Sequence, residues 1–397
     1  IVRPGTYNEN VVVSKSLEIR SYSQNLSDTI VKANNSNDHV FHVTADNVYI
    51  SGFTVTGANG LDTAGIYLSS SNNSRIENVN ASNNWYGIYL WYSSNNTIAN
   101  NNVSSNNDDG ICLWYSSSNN IANNNVTNND DGICLWYSSN NTIANNNVSS
   151  NNIDGIDLCY SSNNVIANNN VSSNNEDGID LCYSSSNNIA NNTFHLNGMF
   201  VFDSYDNAVV NNTVNGKPLV YLENVNDYVV EEAGQVIAIN SSNITIKDLD
   251  LSYASFGVEF WNTSNSIIAN NNVSNNWQGI YLWYSSNNTI ANNNVTNNDY
   301  GIHLRSSSNN IANNNVTNNG DGICLSFSSN SIIANNNVSN NWFGIRLYYS
   351  SSNNIANNNV SNNWFGIRLY YSSNNTIANN NVMNNRFGIY LSSSSNN

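Results

Sequence analysis

Charge is scarce in this chain, and positive charge is the scarcest of all. Only 10% of the 397 residues are charged, and 11 Lys and Arg stand against 27 Asp and Glu, for a formal net charge of −16. A chain with so few basic residues cannot form a patch that meets a phosphate backbone, so the sequence excludes nucleic acid as a partner. Apolar runs of about 18 residues are also missing, so we expect no membrane span in this sequence.

Proline is nearly absent, with two residues, whereas Asn makes up about a quarter of the chain. A polar chain of low complexity is a candidate for disorder. Two features oppose that interpretation, because hydrophobic residues reach 39% of the sequence and recur in a fixed register. The recurrence therefore has to be interpreted before any single residue.

A motif of the form Gly-Ile-x-Leu returns about every 22 residues. Its apolar residues alternate with period two, which indicates strands rather than helices. Ile98 and Val103 are five residues apart, and both can face inward only if the chain turns a corner between them. The sequence therefore predicts an all-β fold, a right-handed parallel β-helix with about 22 residues and three short strands in each coil.

An interruption of the repeat divides the expected solenoid, which we predict to be continuous, into four stretches. They are N-terminal coils over 1–64, regular coils over 65–192, irregular coils with a loop insertion over 193–256, and regular coils over 257–397. The chain opens inside a motif at Ile1 and closes inside a repeat at Asn397, with no evident capping coil. Because a solenoid needs capped ends, we expect a fragment of a longer protein.

Two segments of the sequence, and the repeat itself, resemble known families. The opening IVRPGTYNENVVV and the run DHVFHVTADNVYISGFTVTG resemble the start of pectin-lyase-like β-helix proteins. The repeat resembles the NosD-like family, also called the carbohydrate-binding and sugar-hydrolase repeat, and VNGKPLVYLENV is similar to an insert of its archaeal members. The resemblance implies the β-helix fold and an archaeal surface protein. Bacterial NosD-like proteins assist copper-enzyme maturation, but four His and two Met scattered along this chain do not form a copper site.

The two x positions of Gly-Ile-x-Leu-x are predicted to point away from the core. Aromatic residues are frequent in these two columns, at Tyr89, Trp91, Trp114, Trp136, Trp261, Tyr281, Trp283, Tyr348 and Tyr370. We expect an apolar face well above the size found on a typical monomer, so something should cover it. Three interpretations stay open: another copy of the chain packs there, polysaccharide rings stack on the aromatic faces, or the aromatic rings pack on one another along the sheet.

The five cysteines fall in the same two columns, at Cys112, Cys134, Cys159, Cys182 and Cys324. Cys112 and Cys134 are one coil apart, and so are Cys159 and Cys182, which places each pair within the range of a disulfide. Cys324 has no such neighbour and is a candidate for a bond to another chain. Free surface thiols are the alternative, and an extracellular location would favour the disulfides.

Acidic residues cluster in the coils between Gly110 and Gly178, and their tightest group is Asp154, Asp157, Asp177 and Asp180. Stacked carboxylates about 5 Å apart repel one another unless a cation or a proton lies between them. Because Ca²⁺ takes such oxygen ligands, a Ca²⁺ site is one interpretation of this group. A solvated acidic corner is the other, and we expect no further cofactor.

Catalysis and glycosylation are the remaining possibilities. Polysaccharide hydrolases of this fold use paired Asp residues as acid and base, and Asp-Asp-Gly occurs at 108–110 and 130–132. Those enzymes also carry Gly-His-Gly and Arg-x-Lys motifs, which do not occur here, so we expect no catalytic residues.

Asn-x-Ser/Thr sequons, such as those at Asn102, Asn125 and Asn272, are candidates for glycosylation of a secreted protein.

These observations predict a non-enzymatic extracellular structural protein of an archaeal cell envelope. Its rigid β-helix is expected to assemble with other copies of itself into a sheath, surface layer or filament through the aromatic and cysteine columns. A surface module that binds cell-surface polysaccharide is the alternative, and a polysaccharide lyase or hydrolase is a third function that the acidic cluster leaves open.

Overall fold

The computed structural model describes residues 1–397, which form strands and connecting turns. It contains no helix, and so none that is long and apolar enough to cross a membrane. By its internal contacts the chain divides into two units, Ile1–Asn212 and Thr213–Asn397. Each unit is a parallel β-helix, in which the strands of one coil pair with the equivalent strands of the next, as the repeat predicts.

Unit 1 winds three parallel sheets of nine strands each. In chain order its strands are β1 Gly5–Asn8, β2 Val11–Val13, β3 Glu18–Arg20, β4 Thr29–Lys32, β5 Phe41–Val43, β6 Tyr49–Ser51, β7 Thr54–Thr56, β8 Ala64–Ser69, β9 Arg75–Glu77, β10 Asn80–Ser82, β11 Tyr86–Trp91, β12 Thr97–Ala99, β13 Asn102–Ser104, β14 Ile111–Trp114, β15 Asn120–Ala122, β16 Asn125–Thr127, β17 Ile133–Trp136, β18 Thr142–Ala144, β19 Asn147–Ser149, β20 Ile156–Cys159, β21 Val165–Ala167, β22 Asn170–Ser172, β23 Ile179–Cys182, β24 Asn188–Ala190, β25 Thr193–His195, β26 Met199–Phe202 and β27 Ala208–Val210. The Gly-Ile-x-Leu sheet runs from β2 through every third strand to β26, the Ile-Ala sheet from β3 to β27, and the Asn-Val sheet from β1 to β25.

Unit 2 repeats this arrangement after an antiparallel hairpin of its first two strands. In chain order its strands are β28 Thr213–Val214, β29 Lys217–Glu223, β30 Asn226–Val230, β31 Gln235–Ile239, β32 Ser242–Lys247, β33 Phe256–Trp261, β34 Ile267–Ala269, β35 Asn272–Ser274, β36 Gln278–Trp283, β37 Thr289–Ala291, β38 Asn294–Thr296, β39 Tyr300–Arg305, β40 Asn310–Ala312, β41 Asn315–Thr317, β42 Asp321–Ser326, β43 Ile332–Ala334, β44 Asn337–Ser339, β45 Phe343–Tyr348, β46 Asn354–Ala356, β47 Asn359–Ser361, β48 Phe365–Tyr370, β49 Thr376–Ala378, β50 Asn381–Met383 and β51 Phe387–Ser392. The hairpin turns at Asn215 and Gly216, whose φ angles of 52° and 80° suit a tight turn.

Equivalent side chains stack directly on one another from coil to coil. Ile111 pairs with Ile133, and Leu113 pairs with Leu135, in neighbouring strands of the Gly-Ile-x-Leu sheet. These four side chains are fully buried, as is the core of both units. The predicted corner between Ile98 and Val103 is present, because the φ of 57° at Asn100 turns the chain so that both residues face inward.

Buried Asn side chains hold the corners of successive coils together. The Oδ1 of Asn124 accepts hydrogen bonds from the backbone N–H and the Nδ2 of Asn101, at 2.9 and 3.0 Å. Its Nδ2 donates to the carbonyl of Ile98 at 2.9 Å and to the Oδ1 of Asn146 at 3.0 Å. The amide therefore uses all of its hydrogen-bonding capacity, which a buried polar group requires. The same ladder runs in both units, through Asn101, Asn124, Asn146, Asn169, Asn192 and Asn212 and through Asn271, Asn293, Asn314, Asn336, Asn358 and Asn380.

Close approach of the coils explains why each motif begins with glycine. A Cβ atom on Gly110 would lie 2.5 Å from the Cγ1 of Val126 and 2.7 Å from the carbonyl oxygen of Gly132. One obstacle is a core side chain and the other is backbone of the next coil, so neither can move away without disturbing the stack. Glycine at this position therefore sets the packing of the Gly-Ile-x-Leu sheet against the Asn-Val sheet.

The Asn ladder predicts different effects at two adjacent positions. Asn146→Ala removes a buried amide that bonds four other groups, so we expect the free energy of unfolding to fall by about 1–3 kcal/mol. Asn147→Ala removes an exposed amide that donates to Asn125, and its effect should stay within about 0.5 kcal/mol. Urea unfolding followed by circular dichroism compares the two variants. Equal losses of stability would show that the inner ladder has no special role.

Candidate functional site

The outer face of the Gly-Ile-x-Leu sheet of unit 1 carries a row of stacked tryptophans. Trp91 pairs with Trp114, which pairs with Trp136, and the ring centroids are 5.7 and 5.4 Å apart with interplanar angles of 28° and 13°. Each ring therefore covers part of the face of the next ring, and the three side chains are half-buried. This geometry corresponds to the prediction that aromatic residues pack on one another, and it leaves little ring face for sugars to stack on.

Several of the predicted outward aromatics are more buried than expected. Tyr89, Tyr281, Trp261 and Trp283 are each less than 10% exposed. They point away from the inner core, but neighbouring side chains cover them; in unit 1, Tyr89 belongs to a second apolar cluster with Cys112 and Cys134. The expected apolar face is therefore smaller than the columns suggested, because stacking at the coil spacing removes most of each ring from water.

The aromatic columns of unit 2 are mixed with arginine. Trp261 packs on Trp283 at 4.6 Å, and the guanidinium of Arg305 lies 4.2 Å from the centroid of the Trp283 ring. Further along the sheet, Tyr348 and Tyr370 stack with an interplanar angle of 3°. Cations thus cover aromatic faces in unit 2.

A more exposed aromatic row, which we call the tyrosine ridge, lies one residue beyond the tryptophans of unit 1. It consists of Tyr92, Tyr115, Tyr137, Tyr160 and Tyr183. Successive rings stack 4.9–5.0 Å apart with interplanar angles of 3–6°, and the side chains are 40–51% exposed. These residues were not among the sequence candidates, although in unit 1 a Tyr follows every Trp or Cys of the second x column, which was a visible signal.

The acidic cluster forms a longer strip than the sequence suggested. In four successive coils of unit 1, the residue before Gly and the first x residue lie side by side, which gives the pairs Asp109 and Cys112, Asp131 and Cys134, Asp154 and Asp157, and Asp177 and Asp180. The backbone N–H of Asp154 donates to the Oδ1 of Asp131 at 2.8 Å, and that of Asp177 donates to the Oδ1 of Asp154 at 2.7 Å. The predicted Ca²⁺ group is therefore the C-terminal half of this acidic strip, and two cysteines belong to its N-terminal half.

Burial and mutual repulsion raise the pKa values of the carboxyl groups in the acidic strip. Burial, followed by repulsion from neighbouring carboxylates, raises the pKa of Asp157 to about 7. Burial is also the main cause that raises the pKa of Asp131 to about 6. The pKa values of Asp109 and Asp180 are raised well above the usual range for the same reasons. No Lys or Arg occurs between residues 76 and 216, so unit 1 supplies no ammonium or guanidinium group to this strip.

The five cysteines are free thiols in the structure. Cys112 and Cys134 occupy equivalent positions in neighbouring coils, as do Cys159 and Cys182, so the disulfide pairs named from the sequence remain predictions. Cys324 is only 3% exposed and lies 3.8 Å from the hydroxyl of Ser326. The expectation that it points into solvent, where it could bond another chain, is therefore wrong, because neighbouring side chains cover the first x column.

The three sequon asparagines lie in a ladder on the outside of the Asn-Val sheets. Asn125 donates its Nδ2 to the Oδ1 of Asn102 at 2.9 Å, and Asn102 donates to Asn80 in the same way at 2.7 Å. Asn272 donates to the carboxylate of Asp250 at 2.9 Å. A glycan on any of these nitrogen atoms would replace one outer ladder bond, and glycosylation at these sites stays a prediction.

A groove of about 370 Å³ opens at the N-terminal end of the tryptophan row, beside Trp91. Tyr67, Tyr86 and Trp91 line it together with His39 and Asp62. The His39 ring stacks on Tyr67 at 4.2 Å, and burial lowers the pKa of His39 to about 4, so the ring is neutral at physiological pH. Aromatic walls with a carboxylate at the rim form a concave surface that could hold a small polar ligand.

These features, on a stack of parallel coils, define a right-handed β-helix protein. The sequence matches the family described as "Right handed beta helix region" over residues 64–214 and 278–397. This match covers more than half of the chain, and the protein belongs to that family. Residues 217–326 are also similar to the family described as "Periplasmic copper-binding protein (NosD)". A comparison with curated protein sequences gave no match.

Solved structures with a similar chain path include proteins of different activities. The Dettilon tailspike protein (gp208) is 15% identical with a TM-score of 0.40, and the match covers 98% of this chain and 60% of the tailspike. The α-1,3-glucanase of Streptomyces thermodiastaticus is 15% identical with a TM-score of 0.46, with 78% and 61% covered. DFA-IIIase from Arthrobacter chlorophenolicus is 12% identical with a TM-score of 0.47, with 81% and 84% covered. At these identities the likeness concerns the path of the chain and not an activity.

The residues of the NosD-like segment do not fit a copper ion. Its only imidazole and thiol are His303 and Cys324, which pair in neighbouring strands. His303 bonds Gln278 at 3.1 Å, and burial together with two arginines, Arg305 and Arg346, lowers its pKa to about 4. Two fixed positive charges beside one His and one Cys repel a metal cation, so this segment does not form a copper site.

The acidic strip predicts an unusual dependence of stability on pH. Because the folded-state pKa values are raised above the value of about 3.9 in an unfolded chain, the folded protein binds more protons between about pH 4 and 7. The free energy of unfolding should then be greatest near pH 4 and fall as the pH rises through 6 and 7. Urea midpoints measured from pH 4 to 8 test this slope.

Asp157→Asn should raise the free energy of unfolding at pH 8 by about 1–3 kcal/mol and flatten the slope, since it removes one buried charge. Asp299→Asn, which changes an exposed carboxylate, is the matched control and should keep the wild-type slope. Stability that instead rises steadily from pH 4 to 8 in the wild type would contradict the raised pKa values.

Proposed function

We propose that this protein is a non-enzymatic, extracellular structural protein that associates with other copies of itself through the tyrosine ridge. Unit 1 supplies a stack of coils, and the ridge supplies a repeating contact surface along one side of that unit. Assembly into a sheath, surface layer or filament of the cell envelope would follow from many such contacts.

The observation that carries the proposal is the choice of tyrosine at a strained corner. Tyr115 and its equivalents have φ values of 48–49°, in the left-handed region that a bulky side chain rarely adopts. At other left-handed corners the chain uses Asn, as at Asn100 and Asn123. Asn fits that conformation at lower cost, so five consecutive tyrosines at one corner indicate selection for the surface that they form.

The spacing of the ridge favours a second copy as its partner. The rings repeat every 4.9–5.0 Å, the distance from one coil to the next. A second copy presents the same repeat, so each ring edge and hydroxyl of one ridge can meet an equivalent group of the other in every coil. Unit 2 carries a shorter row of the same kind, in which Phe327, Tyr349 and Tyr371 stack 5.4 and 4.9 Å apart.

Two further observations support a structural role outside the cytoplasm. The matching NosD family is described as periplasmic, and the chain offers Asn-x-Ser/Thr sequons on its surface. The part of unit 1 that carries the acidic strip, residues 76–212, contains no Lys or Arg, whereas a lyase of this fold needs a basic residue beside its substrate. These points support a surface protein whose contacts, rather than chemistry, are its function.

A triple substitution on the ridge tests the assembly. Tyr115→Ser, Tyr137→Ser and Tyr160→Ser together remove the central rings, and the fold should tolerate them because Ser70 and Ser306 occupy equivalent corners with φ of 52° and 50°. We expect wild-type protein to form ordered polymers under electron microscopy. The variant should sediment as a monomer with an unchanged circular dichroism spectrum.

The matched control changes the same number of exposed left-handed corners on another edge of the coil, by Asn123→Ser, Asn145→Ser and Asn168→Ser. This control should polymerise as the wild type does. Wild-type protein that stays monomeric at all concentrations, with and without reductant, would exclude the proposed function.

Carbohydrate binding is the second candidate, and the aromatic groove favours it. The groove exposes Tyr67, Tyr86 and Trp91 around a cavity of about 370 Å³, with Asp62 available to accept hydrogen bonds from sugar hydroxyls. Unlike the stacked tryptophan row, this concave wall can bury a small ring.

A glycan array followed by calorimetry tests the groove. If it binds a polysaccharide, Trp91→Ala should weaken the affinity at least ten-fold, because an aromatic wall of the cavity is lost. Trp136→Ala lies in the same row outside the groove and should leave the affinity unchanged. Equal losses in both variants would locate any binding outside the groove.

A further inference from the structure

The N-terminal end of the acidic strip brings two thiols and a carboxylate together. The Sγ atoms of Cys112 and Cys134 and a carboxylate oxygen of Asp109 all lie within 4.8 Å of one another. Cys112, Cys134 and Asp109 are 2%, 3% and 7% exposed, so their side chains are almost completely shielded from solvent. Around a tetrahedral zinc-type ion, such ligand atoms would lie about 3.5–3.8 Å apart, so small side-chain rotations would complete the site.

A second set of ligand atoms adjoins the first and shares one thiol. Cys134, Asp131 and Asp157 also have ligand atoms within 4.8 Å of one another, and the Cys134 Sγ lies 3.7 Å from the Oδ2 of Asp157. Cys134 is therefore in contact with carboxylates on both sides. Negative charge on this thiol would be strongly disfavoured unless a positive charge entered the cluster.

Unit 2 shows how the chain treats the same pair of residues elsewhere. Asp321 and Cys324 occupy the positions before and after Gly322 that Asp109 and Cys112 occupy around Gly110. In unit 2 the next coil places Arg346 beside them, and its Nη1 donates to the Oδ2 of Asp321 at 2.9 Å. A fixed cation thus neutralises the buried Asp–Cys pair of unit 2.

In unit 1 the position of that arginine is taken by a further ligand. The residue equivalent to Arg346, one coil beyond Cys112, is Cys134. Residues 76–216 contain no Lys or Arg at all. The cluster therefore keeps the anionic pair of unit 2, replaces its cation with a second thiol, and depends on solution for positive charge.

We infer that Asp109, Cys112 and Cys134 bind one divalent cation of the zinc class. Two thiolates and one carboxylate suit Zn²⁺ or Cd²⁺, and a water molecule can take the fourth tetrahedral position. Binding converts both thiols to metal-bound thiolates, and the protons displaced from the ligands pass to the solvent. The inference does not depend on self-assembly, because the ligands lie within one chain.

Cadmium titration of the reduced full chain tests this inference. We expect a thiolate-to-cadmium charge-transfer band in the ultraviolet that saturates at one Cd²⁺ per chain, with release of protons and displacement by excess Zn²⁺. Cys112→Ser and Cys134→Ser should each lower the affinity at least ten-fold. Cys324→Ser is the matched control, since it removes a buried thiol already neighboured by Arg346, and it should bind as the wild type does.

Asp109→Asn provides a variant that keeps both thiols, and it should also weaken binding at least ten-fold while retaining the band at saturation. Circular dichroism establishes that each variant is folded before titration. The inference is overturned if the reduced wild type shows no band, if the Cys112→Ser and Cys134→Ser double variant keeps it, or if Cys112 and Cys134 remain disulfide-bonded under reductant.

Discussion

The stacking of each coil on its equivalent is the constraint on which the whole structure depends. Coils about 4.8 Å apart bring identical side chains into contact, so a repeated residue must either pack well against a copy of itself or be neutralised there. Asn meets this condition inside the protein, because each amide both donates to and accepts from the next one, as Asn101 and Asn124 do. The buried polar ladder and the aliphatic columns are two solutions to the same requirement.

The outer surface obeys the same rule with different results. Aromatic rings tolerate a copy of themselves and stack, as in the row Trp91–Trp114–Trp136. Carboxylates do not tolerate a copy, and burial and repulsion raise the pKa of Asp157 to about 7. A β-helix therefore converts a repeated residue into either a cohesive ridge or a charged strip that takes up protons or cations.

The two units illustrate the ways in which such a strip can be neutralised. In unit 2 the arginine at position 346 lies beside Asp321, and stacked arginines and aromatic rings follow it. In unit 1 the same column continues with thiols and carboxylates and no basic residue. Family membership accounts for the stack of coils, whereas these columns differ between the units and must be understood from their own residues.

The sequence by itself determined the fold, because a period of about 22 residues and a two-residue alternation fix which residues face the core, and Ile111 and Leu113 are buried as predicted. The repeat also assigned the aromatic, thiol and carboxylate residues to their columns, coil by coil. Only the tertiary structure decided how far each column is exposed. Whether Tyr89 or Tyr115 reaches solvent depends on ring orientation and on neighbours in adjacent coils, and a single left-handed corner turned the tyrosines outward. The contact of Asp109 and Cys112 with Cys134 likewise comes from packing between coils, because Cys134 lies 22 or more residues away along the chain.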